Sequence, residues 1–224
     1  MGGGLKQEEA LAYAVSAIRE TFEEAGVLLA DHKDPIREGL QGLSERRMGE
    51  GLPKGWFREW LESEGWPLTF SRLARWAHWI TPRLMRSHFD TRFFAAFMPP
   101  DQACLPDDRE TVHGIWISPE KGLKENHRGE ILLSPPTLVT LHELLVYKDL
   151  SDLKKEVKTR LWGDARFPRL VPLTEGALIL QPWDSMRYGE VKVDTKGLEK
   201  MILPTGAPFS RLWLHEGVWR PVRV

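Results

Sequence analysis

Apolar residues between positions 7 and 26 recur at steps of three and four, the spacing of one face of an α-helix. Such a helix is stable only when this face is buried against another layer of structure. The face consists of Leu11, Val15, Ile18, Phe22 and Ala25. The pattern therefore predicts a helix that packs on a core and ends at Gly26, because glycine often terminates helices.

Three glutamates crowd the end of this predicted helix. Glu20, Glu23 and Glu24 fall together on the side away from the apolar face, at about 100° per residue. Like charges at this spacing repel, and the negative end of the helix dipole adds to the cost. A divalent cation would offset this repulsion, and carboxylate oxygens suit Mg²⁺ and Mn²⁺. The cluster therefore predicts a metal site on one helix face.

The stretch RETFEEAG, residues 19–26, followed by Val27, resembles the second half of the Nudix box, R-E-U-x-E-E-x-G-U, in which U is a bulky apolar residue. Thr21 departs mildly from U. The first half does not fit in its usual register, because Leu5 and Leu11 stand where the box has glycine and glutamate. One branch of the family, resembling the peroxisomal coenzyme A diphosphatases, carries an insertion in this half.

The resemblance to that branch continues downstream, over about residues 10–185. It follows the order of the segments WITP, HFDTRFFAAF, VHGIWISP, EILLSPPTLVTLHEL and LSDL. The resemblance implies hydrolysis of the diphosphate in a nucleoside diphosphate derivative, with Mg²⁺ or Mn²⁺ as cofactor and coenzyme A or acyl-CoA as the preferred substrate. ADP-ribose or a dinucleotide is an alternative substrate. A non-catalytic binding or assembly module that keeps the helix is the rival interpretation.

The resemblance also implies a role for each box residue. Glu20 and Glu24 would be the principal metal ligands, and Glu23 a further ligand or the group that activates water. Arg19 would orient them, and its spacing of four from Glu23 allows the two to pair on the helix. Glu110, just before HGIWISP, is a candidate base at a second position.

The rest of the chain mixes helix and strand patterns. The stretch KGWFREWLESEGW predicts an amphipathic helix with Trp56, Phe57, Trp60 and Leu61 buried. Residues 135–162 predict two helices that meet near Asp149, with Ser151 or Asp152 as the cap. Strands are predicted near 72–81, 89–98, 112–118, 169–173, 176–182 and 189–194, and a closing hairpin turns at Glu216 and Gly217, with Leu212 and Leu214 on one face.

Composition narrows the function classes. The net charge is −1, which argues against a nucleic-acid polymer or an acidic membrane as partner. No apolar run approaches the roughly 20 residues that cross a bilayer, and the one cysteine, Cys104, cannot form an internal disulfide. We expect a cytoplasmic protein with a small-molecule substrate. For Arg92, we favour a structural ion pair, to Asp90 or elsewhere, over a phosphate ligand.

The expected fold is α/β (α+β), a Nudix-like α/β/α sandwich with a mixed sheet. Residues 1–185 would form the hydrolase domain, with the box at 19–27 and a helical insert at about 34–65, and residues 186–224 a β-rich C-terminal extension. A Nudix domain normally has strands before its box, so we expect an N-terminally shortened chain. Three explanations are open: a fragment or misplaced start, a sheet completed by a partner subunit in a homo-oligomer, and a degenerate relative. Strands after residue 185 could also substitute in the sheet.

Overall fold

The computed structural model describes residues 6–30, 36–49, 53–106, 114–191 and 193–223. Its helices are Gln7–Ala25 (α1), Ile36–Arg47 (α2), Trp56–Glu64 (α3), Pro119–Arg128 (α4), Pro135–Leu144 (α5) and Leu150–Val157 (α6). Its strands are Leu73–Ile80 (β1), Asp90–Ala96 (β2), Arg169–Pro172 (β3), Ala177–Leu180 (β4), Arg211–His215 (β5) and Val218–Val222 (β6). The predicted mixture of α and β structure is confirmed.

The chain forms two compact units. The first contains residues 1–75 and 94–116, and the second contains residues 76–93 and 117–224. Strands β1 and β2 pair in a two-stranded sheet. The units divide the chain differently from the boundary proposed at residue 185, which stays a prediction.

The first unit is built around the C-terminal half of α1. Ile18 and Phe22 are fully buried, as their spacing predicted, whereas Leu11 is 49% exposed. The expectation that the whole stripe is buried is wrong for Leu11, because only the later turns of the helix pack on the core. Helix α3 contributes the four residues predicted to be buried: Trp56, Phe57, Trp60 and Leu61.

The segment after α1 is an extended, buried run with partners on its backbone. Residues 27–30 are all at most 7% exposed. The Gln102 side chain pairs with both backbone groups of Leu28, accepting from its N–H at 2.8 Å and donating to its carbonyl at 2.9 Å. The Thr69 N–H donates to the Leu29 carbonyl at 3.0 Å. These bonds satisfy a backbone that lies away from water.

The second unit contains a four-stranded antiparallel sheet in the order β3, β4, β5, β6. Alternate residues face opposite sides: Ile179 and Leu212 pack with α4 and α5, whereas Leu178, Leu180 and Trp213 pack in a second cluster. The predicted closing hairpin is confirmed. Its turn residues, Glu216 at φ 49° and Gly217 at φ 77°, are both left-handed, as a tight two-residue hairpin requires.

Three details differ from the sequence predictions, and local capping explains the first two. Residues 114–118 are not a strand, because Ser118 caps a helix that sequence analysis missed and accepts a bond from the Lys121 N–H at 3.2 Å. The two helices in 135–162 are confirmed, but their junction is capped by Asp149, which accepts from the Ser151 N–H at 2.7 Å. In 189–194, the described residues are also not a strand, although Val191 and Val193 pack on the core.

Two further expectations can be compared with the structure. The ion pair proposed for Arg92 is present: its Nε lies 3.7 Å from Asp90 Oδ1, and its side chain is 5% exposed. Among the described residues, no helix has the length and apolar character needed to span a membrane.

A buried ion pair lies at the start of β5 in the second unit. Asp184 accepts bonds from Arg211 Nε at 2.7 Å, from Ser210 Oγ at 2.6 Å and from the Met186 N–H at 2.8 Å. Burial alone would raise the pKa of Asp184, but these bonds outweigh it and hold the pKa below its usual value.

We therefore expect Asp184→Asn to lower the free energy of unfolding at neutral pH by about 3 kcal/mol, because Arg211 would stay buried without its anion. Since the folded-state pKa is depressed, the wild-type advantage is complete above the unfolded-state pKa of about 4 and is lost as pH falls through the folded-state pKa. Urea unfolding at several pH values measures this. The control is Asp164→Asn, at an exposed position; equal stability losses in both variants would contradict the prediction.

Candidate active site

Arg19 joins two of the three glutamates on α1. Its Nη1 donates to Glu23 Oε2, and its Nη2 donates to Glu20 Oε1. The side chains of Arg19, Glu20 and Glu23 are 41%, 44% and 25% exposed. The predicted pairing of Arg19 with Glu23 is thus present, and one guanidinium orients both carboxylates.

Trp56 holds the other oxygen of Glu23. Its indole Nε1–H donates to Glu23 Oε1 at 3.2 Å. Its ring packs against that of Phe22, with 6.3 Å between the ring centroids. Glu23 is therefore fixed from two sides. No tryptophan is among the site residues predicted from the sequence. A buried indole N–H usually needs an acceptor, but the sequence does not show which acceptor that is.

Arg47 supplies the positive charge that the last turn of α1 lacks in its own sequence. Its Nη1 donates to the Glu23 carbonyl at 2.9 Å, and its Nη2 donates to the Leu105 carbonyl at 2.8 Å. Arg47 is only 4% exposed and lies over the ring of Phe22. A cation here stabilises the negative end of the helix dipole. Sequence analysis missed this residue because both partners are distant in the chain.

Gly26 ends α1 as predicted. Its φ of 70° is left-handed, and its N–H donates to the Phe22 carbonyl at 2.9 Å. A Cβ at this position would lie 3.2 Å from Arg47 Nη2 and 3.4 Å from the Leu105 carbonyl oxygen. Glycine is therefore needed both for the backbone conformation and for the close approach of Arg47.

The carboxylates have the chemistry of a site for a hard divalent cation. Each carries about four lone-pair sites, so the bonds to Arg19 and Trp56 leave acceptor capacity on Glu20 and Glu23. In the described part of the chain, no three acidic, histidine or cysteine side chains converge in an arrangement that could hold a metal ion. The structure thus brings Glu20 and Glu23 together through Arg19, with Glu24 next to Glu23 in the chain. Their assignment as metal ligands stays a prediction.

The remaining candidate, Glu110, lies in residues 107–113, outside the described residues. Its assignment as a base at a second position also stays a prediction.

We expect Gly26→Ala to lower the free energy of unfolding more than Gly65→Ala does. Both glycines end helices at similar φ, 70° and 67°, so the backbone strain should be similar, about 1–2 kcal/mol. Among the described residues, nothing lies within 4 Å of a Cβ at Gly65, whereas Gly26 meets Arg47. The extra loss at Gly26 should be about 1 kcal/mol. Urea denaturation measures both, and equal losses would show that Arg47 does not constrain this position.

The sequence of this chain is similar to that of known proteins. The family model for the NUDT19 Nudix domain matches residues 5–144. Acyl-coenzyme A diphosphatase NUDT19 of Homo sapiens is 30% identical over 91% of this chain and 60% of its own length. The proteins of the same name from Gallus gallus and Xenopus laevis are 29% and 26% identical, over 90% and 92% of this chain and 61% of each relative.

The chain therefore spans about three-fifths of the length of these curated relatives. No solved structure matches it. The family match covers more than half of the chain and includes the helix that carries RETFEEAG. The chain belongs to the NUDT19 Nudix domain family.

Proposed function

We propose that this chain hydrolyses the diphosphate of coenzyme A or an acyl-CoA, with Mg²⁺ or Mn²⁺ as cofactor. The observation that carries the proposal is the bridge from Arg19 to Glu20 and Glu23 on the Nudix box helix. The names of the relatives, which are acyl-coenzyme A diphosphatases, support the substrate class.

In the proposed site, Glu20 and Glu24 are the principal metal ligands, and Arg19 fixes the rotamers of its two partners. When bound, a divalent cation neutralises charge on the phosphate oxygens and acidifies the attacking water. Glu23 serves as a further ligand or accepts the proton of that water. The bonds from Arg19 and Trp56 hold Glu23 in one orientation, which reduces the reorganisation needed during the reaction. The resemblance suggests Glu110 as a second candidate base.

The direct experiment supplies the folded chain with Mg²⁺ or Mn²⁺ and separate samples of coenzyme A, acetyl-CoA, octanoyl-CoA, ADP-ribose and a dinucleotide. Chromatography should detect the two halves of each coenzyme A substrate, a phosphopantetheine (acylated for the acyl-CoAs) and an adenosine bisphosphate that keeps the ribose phosphate. Turnover of ADP-ribose or the dinucleotide alone would show that the substrate is another nucleoside diphosphate derivative and not coenzyme A or an acyl-CoA. Binding without turnover by the folded chain would favour the non-catalytic module.

We expect Glu20→Gln and Glu24→Gln each to lower kcat by roughly 100-fold or more, because a neutral amide is a poorer ligand for a hard cation. The matched control is Glu8→Gln, an exposed position in the first turn of the same helix. Initial rates across a metal titration measure the effect. Unchanged turnover in both Glu20→Gln and Glu24→Gln would show that these two glutamates take no part in the reaction.

A second prediction concerns Trp56. Trp56→Phe keeps a ring against Phe22 but removes the N–H that Glu23 accepts. We expect kcat to fall about 3- to 10-fold with little change in KM, as the cost of one hydrogen bond that positions a catalytic group. The free energy of unfolding must be measured beside the rates. Trp60→Phe is the control, because Trp60 is equally buried on α3 and packs against Trp66; equal losses of kcat in both variants would show a general packing effect.

A further inference from the structure

An apolar pocket of about 550 Å³ lies in the second unit. It is lined by Trp79 of β1, Ile179 of β4 and Trp219 of β6, and by residues of the loop between β1 and β2. Pockets that bind small molecules typically measure roughly 300–1,000 Å³ and have apolar, aromatic linings. The size and the lining both fit a small-molecule site.

The lining of this pocket is mostly apolar, and its four hydroxyl groups belong to Thr81, Ser87, Thr91 and Ser134. Four lining residues are prolines, which have no backbone N–H: Pro82, Pro135, Pro136 and Pro168. Two of the lining hydroxyls are engaged within the fold. Thr81 Oγ1 accepts from the Phe89 N–H at 3.0 Å, and Ser134 Oγ lies 2.8 Å from Thr137 Oγ1. A base or sugar would lose hydrogen bonds to water in such a pocket, whereas a hydrocarbon chain would not.

The mouth of the pocket combines exposed apolar side chains with a cation. Phe89 and Met85 line it and are 64% and 44% exposed. Arg86 also lines it, is exposed, and makes no hydrogen bond or ion pair with the residues that the structure describes. An apolar cavity complements a hydrocarbon chain, and a guanidinium at its rim can donate hydrogen bonds to the thioester carbonyl of an acyl-CoA or pair with the carboxylate of a fatty acid.

We infer that this pocket binds the acyl chain of an acyl-CoA. The inference rests on the proposed function for its choice of ligand, since the same chemistry would otherwise admit a free fatty acid. It adds that a longer acyl chain, up to the capacity of the pocket, raises affinity, and that Phe89 and the proline walls determine this selectivity.

The test measures binding to the full chain by calorimetry, with EDTA present so that no metal-dependent turnover occurs. The ligands are coenzyme A, acetyl-CoA and octanoyl-CoA, with octanoate as the free fatty acid, all below their micelle concentrations. Each methylene that enters the pocket should tighten binding by about fourfold, or less where burial is partial. Octanoyl-CoA should therefore bind well over tenfold tighter than coenzyme A, and octanoate should bind more weakly than octanoyl-CoA.

Two variants test whether this pocket causes the tighter binding of octanoyl-CoA. Phe89→Ser shortens the wall at an exposed position, and Thr91→Trp fills space that Thr91 lines. Both should weaken octanoyl-CoA binding by about tenfold and leave coenzyme A binding unchanged. The control is Leu132→Ser, because Leu132 is 69% exposed, in the same unit, and outside the pocket.

The outcomes separate the two proposals. Equal affinity for coenzyme A and octanoyl-CoA, or equal losses in Phe89→Ser and Leu132→Ser, would overturn the acyl site and leave hydrolysis of coenzyme A untouched. Octanoate binding as tightly as octanoyl-CoA would replace the ligand by a free fatty acid. Chain-length-dependent binding that Phe89→Ser abolishes, without turnover in Mg²⁺ or Mn²⁺, would support the acyl site and overturn the proposed hydrolysis.

Discussion

The buried guanidinium of Arg47 is the contact on which the end of α1 depends. It bonds to the Glu23 carbonyl and the Leu105 carbonyl, and so ties α1, α2 and residues 94–106 together within the first unit. Hydrogen bonds to a charged group contribute about 1.5–3 kcal/mol each, whereas like-charge repulsion between helix neighbours costs only about 0.2–0.5 kcal/mol per pair. The terms from Arg47 therefore outweigh the repulsion among the glutamates. The acidic helix end is compatible with a stable fold before any metal is considered.

Arg19 and Trp56 together make more hydrogen bonds to Glu23 than to Glu20. Glu23 has at least one donor on each oxygen and is 25% exposed, while Glu20 is held by Arg19 and is 44% exposed. Glu20 therefore needs to break fewer contacts than Glu23 to turn toward a cation. This difference agrees with the roles proposed from the resemblance, in which Glu20 is a principal ligand and Glu23 is either a further ligand or the group that receives a proton.

Sequence periodicity and turn chemistry predicted the elements whose signals are local. These include α1 with its end at Gly26, the aromatic face of α3, and the hairpin at Glu216 and Gly217. The strand predicted at 112–118 is wrong in its described part, because Ser118 and Pro119 start a helix. These two residues are a local signal for a helix start, but the apolar run IWI before them favoured a strand. Arg47 and Trp56 could not be placed by sequence alone, because their partners depend on how α2 and α3 pack against α1.

A diphosphate and a hydrocarbon chain need opposite surroundings, which constrains how one protein can bind both. Phosphate chemistry needs charged groups and hard oxygen ligands, such as the carboxylates on α1. A hydrocarbon needs walls with few unpaired polar groups, such as the proline rings and the internally bonded hydroxyls of Thr81 and Ser134 in the apolar pocket. Apolar walls beside the carboxylates would desolvate them, and free polar groups in the pocket would retain water. An acyl-CoA contains both kinds of group, and the box helix and the apolar pocket have these two contrasting compositions.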